Sequence, residues 1–131
     1  MEQAKILIID DDPDITEAMK IVLENQGYAV NKAKDGQEGM EQIKASLPDL
    51  IILDIMMNTM REGFFISREL KTNPTYKHIP ILMITAVKEK TGLDFKPEAG
   101  DKAWLPVEDF LDKPVEPQVL LDKVSALLDK S

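Results

Sequence analysis

The 131-residue chain contains no cysteine, which excludes disulfide bonds and thiolate metal sites. His78 is its only histidine, so metal sites built from several imidazoles are excluded as well. Its longest apolar stretches are far shorter than the roughly 20 residues of a bilayer-spanning helix, and its first residues lack a secretory signal. We therefore expect a cytoplasmic protein without a membrane span.

Positive charge is also scarce in this chain. The chain has 16 Lys and Arg residues and 24 Asp and Glu residues, which gives a formal net charge of −8. Such a balance disfavours direct binding to the phosphates of a duplex nucleic acid, so the expected partners are proteins. The sequence shows no internal repeat, low-complexity tract or linker, and its length suits one domain over residues 1–131.

Four short apolar runs lead into residues that phosphoryl chemistry uses. Ile6–Ile9 runs into Asp10, Asp11 and Asp12, Leu50–Leu53 into Asp54, Ile81–Ile84 into Thr85, and Phe110–Asp112 into Lys113 and Pro114. Because such runs alternate with stretches of helical period, we predict parallel strands near 5–10, 28–33, 49–54, 80–85 and 108–112. Their carboxyl ends would share one edge of the sheet, where ligand sites form in α/β proteins.

The helices are predicted between these strands. The first begins after Asp12, which caps it, and stops at Gly27. The other helices are expected near 37–47, 64–72 and 117–129. The predicted apolar faces use Ile15, Ala18, Met19, Val22 and Leu23 in the first helix, and Met40, Ile43 and Leu47 in the second. Glycines and prolines in 88–107 predict a short helical turn and an extended loop there.

The residues at the predicted strand ends suit a phosphoryl-transfer site. Clustered carboxylates favour a hard divalent cation, Mg²⁺ or Mn²⁺, with Asp11 and Asp54 as the best direct ligands and Asp10 acting directly or through water. A carboxylate beside Mg²⁺ can attack phosphorus, while Lys113 supplies positive charge and the Thr85 hydroxyl donates to a phosphoryl oxygen.

Each residue also has a plainer interpretation when it is taken alone. Asp12 is better read as a helix cap than as a ligand. Asp10, Asp11 and Asp54 could be solvated turn residues, and Thr85 could be a strand-terminal hydroxyl bonded to the backbone. Lys113 could be a surface lysine, and the Lys113-Pro114 pair could simply mark a turn. The order and combination of all these residues favour the phosphoryl site.

The sequence resembles the receiver domains of two-component response regulators over essentially its whole length. The resemblance rests on ILIIDDDPDI at 6–15, DLIILDIMM at 49–57, PILMITA at 80–86 and FLDKP at 110–114. It implies a flavodoxin-like (βα)₅ fold with a doubly wound, five-stranded parallel sheet. It also implies that a sensor histidine kinase or a histidine phosphotransfer protein phosphorylates Asp54 in a Mg²⁺-dependent reaction. Phosphorylation would then switch contacts with a downstream protein target.

The resemblance assigns a role to each matching residue. Asp10 and Asp11 become the acidic pair, and Met56 offers its backbone carbonyl to the metal. Thr85 becomes the switch hydroxyl. Lys113 contacts the phosphoryl group and precedes a cis peptide bond to Pro114. Phe110 lies where the family carries an aromatic switch residue, and its alternative role is that of a plain core aromatic.

The chain departs from the family pattern in two segments. Residues 58–62 replace a Met-Pro-Gly-like loop and look about one residue longer, and 88–107 is longer than usual and carries Trp104. The fourth helix of the family falls in 88–107, so phosphorylation-dependent homodimerisation is left open. Met56 and Val87 are apolar and cannot orient a hydrolytic water, so we expect slow self-dephosphorylation.

Three other functions compete with the phosphorylation switch. A Mg²⁺-dependent aspartyl phosphohydrolase usually needs a carboxylate two residues after the nucleophile, where Met56 stands. A nucleotide- or flavin-binding domain would need a glycine- or hydroxyl-rich phosphate loop instead of Asp10-Asp11-Asp12. A receiver that binds partners without being phosphorylated would not need the intact set of Asp54, Asp11, Thr85 and Lys113. We therefore expect a stand-alone phosphoacceptor domain rather than an enzyme, whose kinase, stimulus and target the sequence does not name.

Overall fold

Five short segments form the strands of one parallel sheet in the computed structural model, which describes residues 3–54, 60–85, 109–112 and 115–130. The strands are β1 (Lys5–Ile9), β2 (Ala29–Ala33), β3 (Leu50–Asp54), β4 (Ile81–Thr85) and β5 (Asp109–Asp112), in the spatial order β2-β1-β3-β4-β5. The helices within the described residues are α1 (Pro13–Glu24), α2 (Gly36–Ala45), α3 (Met60–Thr72) and α4 (Pro117–Lys130). The predicted flavodoxin-like sheet is confirmed.

Helices cover both faces of the sheet, which is why its central strands β1, β3 and β4 carry continuous apolar runs. One buried cluster joins α2 and α3 to one face and includes Leu7, Ile9, Ile43, Leu53, Ile66, Leu70 and Met83. The other joins α1 and α4 to the opposite face and includes Ile6, Ile8, Met19, Leu23, Ile52, Leu120 and Val124. The doubly wound arrangement therefore follows from residues that alternate between two apolar layers along each strand.

The start of α1 is fixed by the side chain that the sequence predicts as its cap. Asp12 has extended backbone geometry, and its Oδ1 accepts hydrogen bonds from the backbone N–H groups of Asp14 at 2.9 Å and Ile15 at 3.2 Å. Pro13 follows in the first turn, where its missing N–H needs no partner. The helix ends at Glu24, and Gly27 completes the turn with a φ of +93°.

The sheet edge formed by β2 is covered by side chains from both neighbouring helices. Gln42 of α2 donates its amide to the Lys32 backbone carbonyl at 2.7 Å. On the α1 side, the Lys32 ammonium donates to Glu17 Oε2 at 2.8 Å, and this bond holds the pKa of Glu17 below its ordinary value. The carbonyl of an edge-strand residue is thus bonded within the molecule.

Three details differ from the sequence prediction. Helix α2 ends at Ala45, and Leu47 is 49% exposed rather than part of the buried face. Pro48 disfavours helical geometry at the residue before it, which explains the early stop. Helix α3 begins at Met60, so three of the five residues of the predicted 58–62 loop are helical, consistent with the helix propensities of Met60, Arg61 and Glu62. Ala18, placed on the buried face of α1, is exposed.

The predictions for the irregular 88–107 segment and for Trp104 cannot be compared with the fold, because both lie outside the described residues.

The described helices were also compared with the length of a membrane span. None of the four has the length and apolar composition that crossing a bilayer requires.

We predict that Gly27→Ala lowers the free energy of unfolding by about 1 kcal/mol, because a side chain strains the backbone at positive φ. No heavy atom lies within 4 Å of the added Cβ, so the effect comes from the backbone alone. Urea unfolding measures it. Gly27→Asn is the matched variant and should lose less, because asparagine tolerates positive φ better than alanine. Equal stability of Gly27→Ala and the wild type would contradict the interpretation.

Candidate functional site

The pairing of the central strands brings two predicted site residues together. Ile9 of β1 pairs with Leu53 of β3, so Asp10 and Asp54, which follow them, sit side by side at the carboxyl edge of the sheet. Asp54 in turn pairs with Ile84 of β4, the residue before Thr85. The edge predicted to carry the phosphoryl chemistry is therefore formed by adjacent strands.

Three carboxylates converge at this edge. One carboxylate oxygen from each of Asp10, Asp11 and Asp54 lies within 4.8 Å of the other two. Asp10 and Asp54 are 3% and 2% exposed, whereas Asp11 is exposed to solvent. Two buried carboxylates and one exposed carboxylate around a small space fit Mg²⁺, which takes a few carboxylate oxygens and keeps several waters.

The position of Asp10 depends on a chain of local hydrogen bonds. Its backbone N–H donates to the Ala33 carbonyl at 3.0 Å, which extends the β1–β2 ladder by one residue. Its Oδ1 accepts from the Asp12 backbone N–H at 2.9 Å, and the Asp12 side chain caps α1. Asp10 and Asp12 therefore share one turn: the Asp10 side chain bonds the backbone of Asp12, and the Asp12 side chain bonds the first turn of α1. The second bond confirms the prediction that Asp12 is a helix cap.

The other predicted site residues are described only in part. Thr85 ends β4 and pairs with Asp112, and Phe110 pairs with Met83, so the backbone of both lies in the sheet. Their side-chain positions lie outside what the structure describes. The same is true of every atom of Met56, Val87, Lys113 and Pro114, so the roles of these residues and the cis peptide bond stay predictions.

An apolar groove between α1 and α4 was not predicted from the sequence. It has a volume of about 190 Å³ and is lined by Ile15, Ala18, Met19, Val22, Val115, Pro117 and Leu120. Both helices begin shortly after strand ends, so the groove starts on the side of the sheet where the strands have their carboxyl ends. The sequence carried one signal for it: the apolar face predicted for α1 is wider than contact with the sheet requires, and Ile15 and Val22 remain only half-buried.

Comparison with known proteins gives consistent matches. The profile of the response regulator receiver domain family matches residues 6–125. The protein PilH of Pseudomonas aeruginosa is 31% identical over 128 residues, covering 95% of this chain and 98% of PilH. The DNA-binding dual master transcriptional regulator RpaA of Synechocystis is 36% identical over 127 residues. That match covers 97% of this chain but 50% of RpaA, so the chain spans about half the length of that relative.

Solved structures agree with these sequence matches. A protein described as a response regulator from Chloroflexus aurantiacus superposes with a TM-score of 0.84 at 34% identity, covering 98% of this chain and 99% of that one. The chemotaxis response regulator CheY4 of Vibrio cholerae superposes with a TM-score of 0.80 at 30% identity, covering 96% and 99%. The similarity extends over the sheet and the helices on both of its faces.

We predict that Asp12→Ala lowers the free energy of unfolding by about 1 kcal/mol, because two backbone N–H groups of α1 lose their acceptor. Asp12→Asn should keep the stability, since asparagine caps helices as well as aspartate does. Urea unfolding and Mg²⁺ titration calorimetry measure the two effects. We expect Asp12→Asn to bind Mg²⁺ as the wild type does; if it kept its stability but no longer bound Mg²⁺, Asp12 would be a metal ligand as well as a helix cap.

Proposed function

Since this chain belongs to the response regulator receiver domain family, we propose that Asp54 is its phosphoacceptor and that phosphorylation switches its contacts with other proteins. Receiver domains of two-component systems are phosphorylated on aspartate in a Mg²⁺-dependent reaction. The observation that carries the proposal here is the convergence of Asp10, Asp11 and Asp54 within 4.8 Å, with Asp54 at the end of the central strand β3.

The reaction proposed for Asp54 is an in-line displacement at phosphorus. A carboxylate oxygen of Asp54 forms a bond to the phosphorus atom while the P–N bond of the donor's phosphohistidine breaks. The imidazole leaves with the bonding electron pair and takes up a proton. The sheet holds Asp54 in a single place, because β3 pairs with β1 on one side and with β4 on the other.

A metal ion held by the acidic residues and the ammonium group of Lys113 would offset the negative charge of the phosphoryl group in this reaction. Asp10, Asp11 and Asp54 would hold Mg²⁺, with the Met56 carbonyl as a further oxygen ligand. When bound, Mg²⁺ offsets the negative charge of the carboxylates and of the phosphoryl oxygens. We propose that Lys113 contacts the phosphoryl group and that the Thr85 hydroxyl donates to it. Phe110 then adjusts its packing as Thr85 moves.

The proposed chemistry is the transfer of one phosphoryl group to Asp54, without turnover of a further substrate. The chain would act as a phosphoacceptor in signalling rather than as an enzyme with a diffusible substrate, because Met56 stands where an aspartyl phosphohydrolase carries its second carboxylate. On family membership we also propose a cytoplasmic location. Action as a single receiver domain over 1–131, phosphorylation-dependent homodimerisation and slow self-dephosphorylation stay predictions.

The groove between α1 and α4 is the place where we propose that the histidine-bearing partner docks. An apolar groove between two helices suits the apolar face of a third helix, so we propose that the partner presents its histidine on a helix. The exposed carboxylates of Asp14 and Glu116 adjoin the groove residues Ile15 and Pro117 in sequence. They favour a partner helix with basic residues beside its apolar face.

We predict that incubation with acetyl phosphate and Mg²⁺ adds one phosphoryl group to the wild type and none to Asp54→Asn, because the amide cannot act as the nucleophile. Intact-mass spectrometry measures the addition. Asp129→Asn, which alters an exposed carboxylate on α4, is the control and should be phosphorylated normally. If the wild type takes up no phosphoryl group, the chain is a binding module that works without phosphorylation.

We predict that Ala18→Arg slows phosphotransfer from the cognate kinase about tenfold or more, which corresponds to losing about 1.4 kcal/mol of docking energy. The arginine fills the groove, and because Ala18 is exposed the fold tolerates it. Phosphotransfer profiling of purified histidine kinases identifies the kinase and measures the rate. Ile21→Arg is the matched control, since Ile21 is 52% exposed on the same helix but does not line the groove. Equal slowing by both variants, or slower labelling of Ala18→Arg by acetyl phosphate, would contradict docking in the groove.

A further inference from the structure

Helix α2 makes an unusually close approach to the end of β1 at Gly39. A Cβ atom added at Gly39 would lie 2.6 Å from Cδ1 and 3.0 Å from Cγ1 of Ile9. Both distances are shorter than ordinary van der Waals contact between carbon atoms, which is about 3.5–4.0 Å. Glycine is therefore the residue that lets the helix touch the sheet at this point while residue 9 is isoleucine.

Ile9 has little room to move away from such a contact. It is fully buried in the cluster that includes Ile43 and Leu53. Its backbone pairs with Ala33 of β2 on one side and with Leu53 of β3 on the other. Since interiors are packed at crystal-like density, a displaced Ile9 side chain would have to move its neighbours or its own backbone.

Helix α2 is also held in place at both of its ends. Asp35 caps it by accepting from the Glu38 backbone N–H at 2.8 Å, and Glu38 accepts from the Lys34 N–H at 3.2 Å. Near the other end, Gln42 bonds to the Lys32 carbonyl at 2.7 Å. These bonds tie α2 to β2 and to the turn after it, so they oppose movement of the helix away from a side chain added at Gly39.

The strands beside Ile9 end in the carboxylate cluster. Asp10 follows Ile9 directly, and Asp54 follows its pairing partner Leu53. We propose that Gly39 is a positioning residue for the carboxylates of Asp10 and Asp54. Because Gly39 has no side chain, the Ile9 side chain can pack between α2 and the sheet. This packing determines the position of the end of β1, and so of Asp10, relative to the end of β3. The assignment rests on the proposed function, because the cluster must hold Mg²⁺ for its spacing to matter.

The test compares Mg²⁺ affinity with stability in variants of this contact. Gly39→Ala should raise the Mg²⁺ dissociation constant about tenfold, because Mg²⁺ demands near-ideal ligand geometry. Adding Ile9→Val to Gly39→Ala removes the Cδ1 atom at 2.6 Å and should restore affinity close to the wild-type value. Titration calorimetry with Mg²⁺ measures the affinity, and thermal unfolding without Mg²⁺ measures the stability.

Two single variants serve as controls. Ile43→Val removes a methyl group from the same helix, one turn beyond Gly39 and in the same buried cluster. It should lower stability and leave the Mg²⁺ affinity unchanged, as should Ile9→Val alone. If Gly39→Ala alone does not fold, the double variant decides the matter, because it must both fold and bind Mg²⁺ like the wild type.

The outcomes separate this assignment from the proposed function. Gly39→Ala that folds and binds Mg²⁺ as the wild type does would overturn the positioning role alone. So would equal weakening of Mg²⁺ binding by Ile43→Val, or a double variant that stays weak. A wild-type protein that binds no Mg²⁺ would overturn the proposed function and the positioning role with it.

Discussion

The pairing register of β1 with β3 is the constraint on which the rest of this domain depends. With Ile9 opposite Leu53, the residues that follow are two aspartates side by side at the same edge. A shift of one residue would turn every side chain of β1 to the opposite face and exchange the contents of the two apolar layers. The burial of Ile6, Leu7, Ile8 and Ile9 against helices on both faces therefore fixes the spacing of the carboxylates.

The backbone turn that starts α1 also fixes the position of a carboxylate at this edge of the sheet. Asp10 and Asp54 are nearly inaccessible to solvent, so their oxygens depend on partners other than bulk water. Asp10 accepts a backbone N–H from Asp12, whose own side chain begins the helix. Because one short turn serves both purposes, the acidic site and the first turn of α1 form a single structural unit.

The sequence predicted the features that local patterns determine. The alternation of strand-like and helix-like segments located all five strands within one residue at either end, and Asp12 and Pro13 located the start of α1. It misplaced Leu47 and the start of α3, where Pro48 and the helix propensity of residues 60–62 outweighed the periodicity. The wide apolar face of α1 was the one sequence signal of the α1–α4 groove, and no such signal indicated the contact of Gly39 with Ile9, because both depend on the distance between elements far apart in the chain.

The amide of Gln42 on the carbonyl of Lys32 has a consequence for how this domain meets other molecules. Strand β2 lies at the rim of the sheet, where an open backbone would invite a foreign strand to add. With that acceptor taken and the Glu17–Lys32 pair alongside, strand addition at β2 would first have to break internal bonds. At this rim a foreign strand would therefore find one backbone acceptor fewer, which disfavours growth of the sheet between crowded copies of the domain.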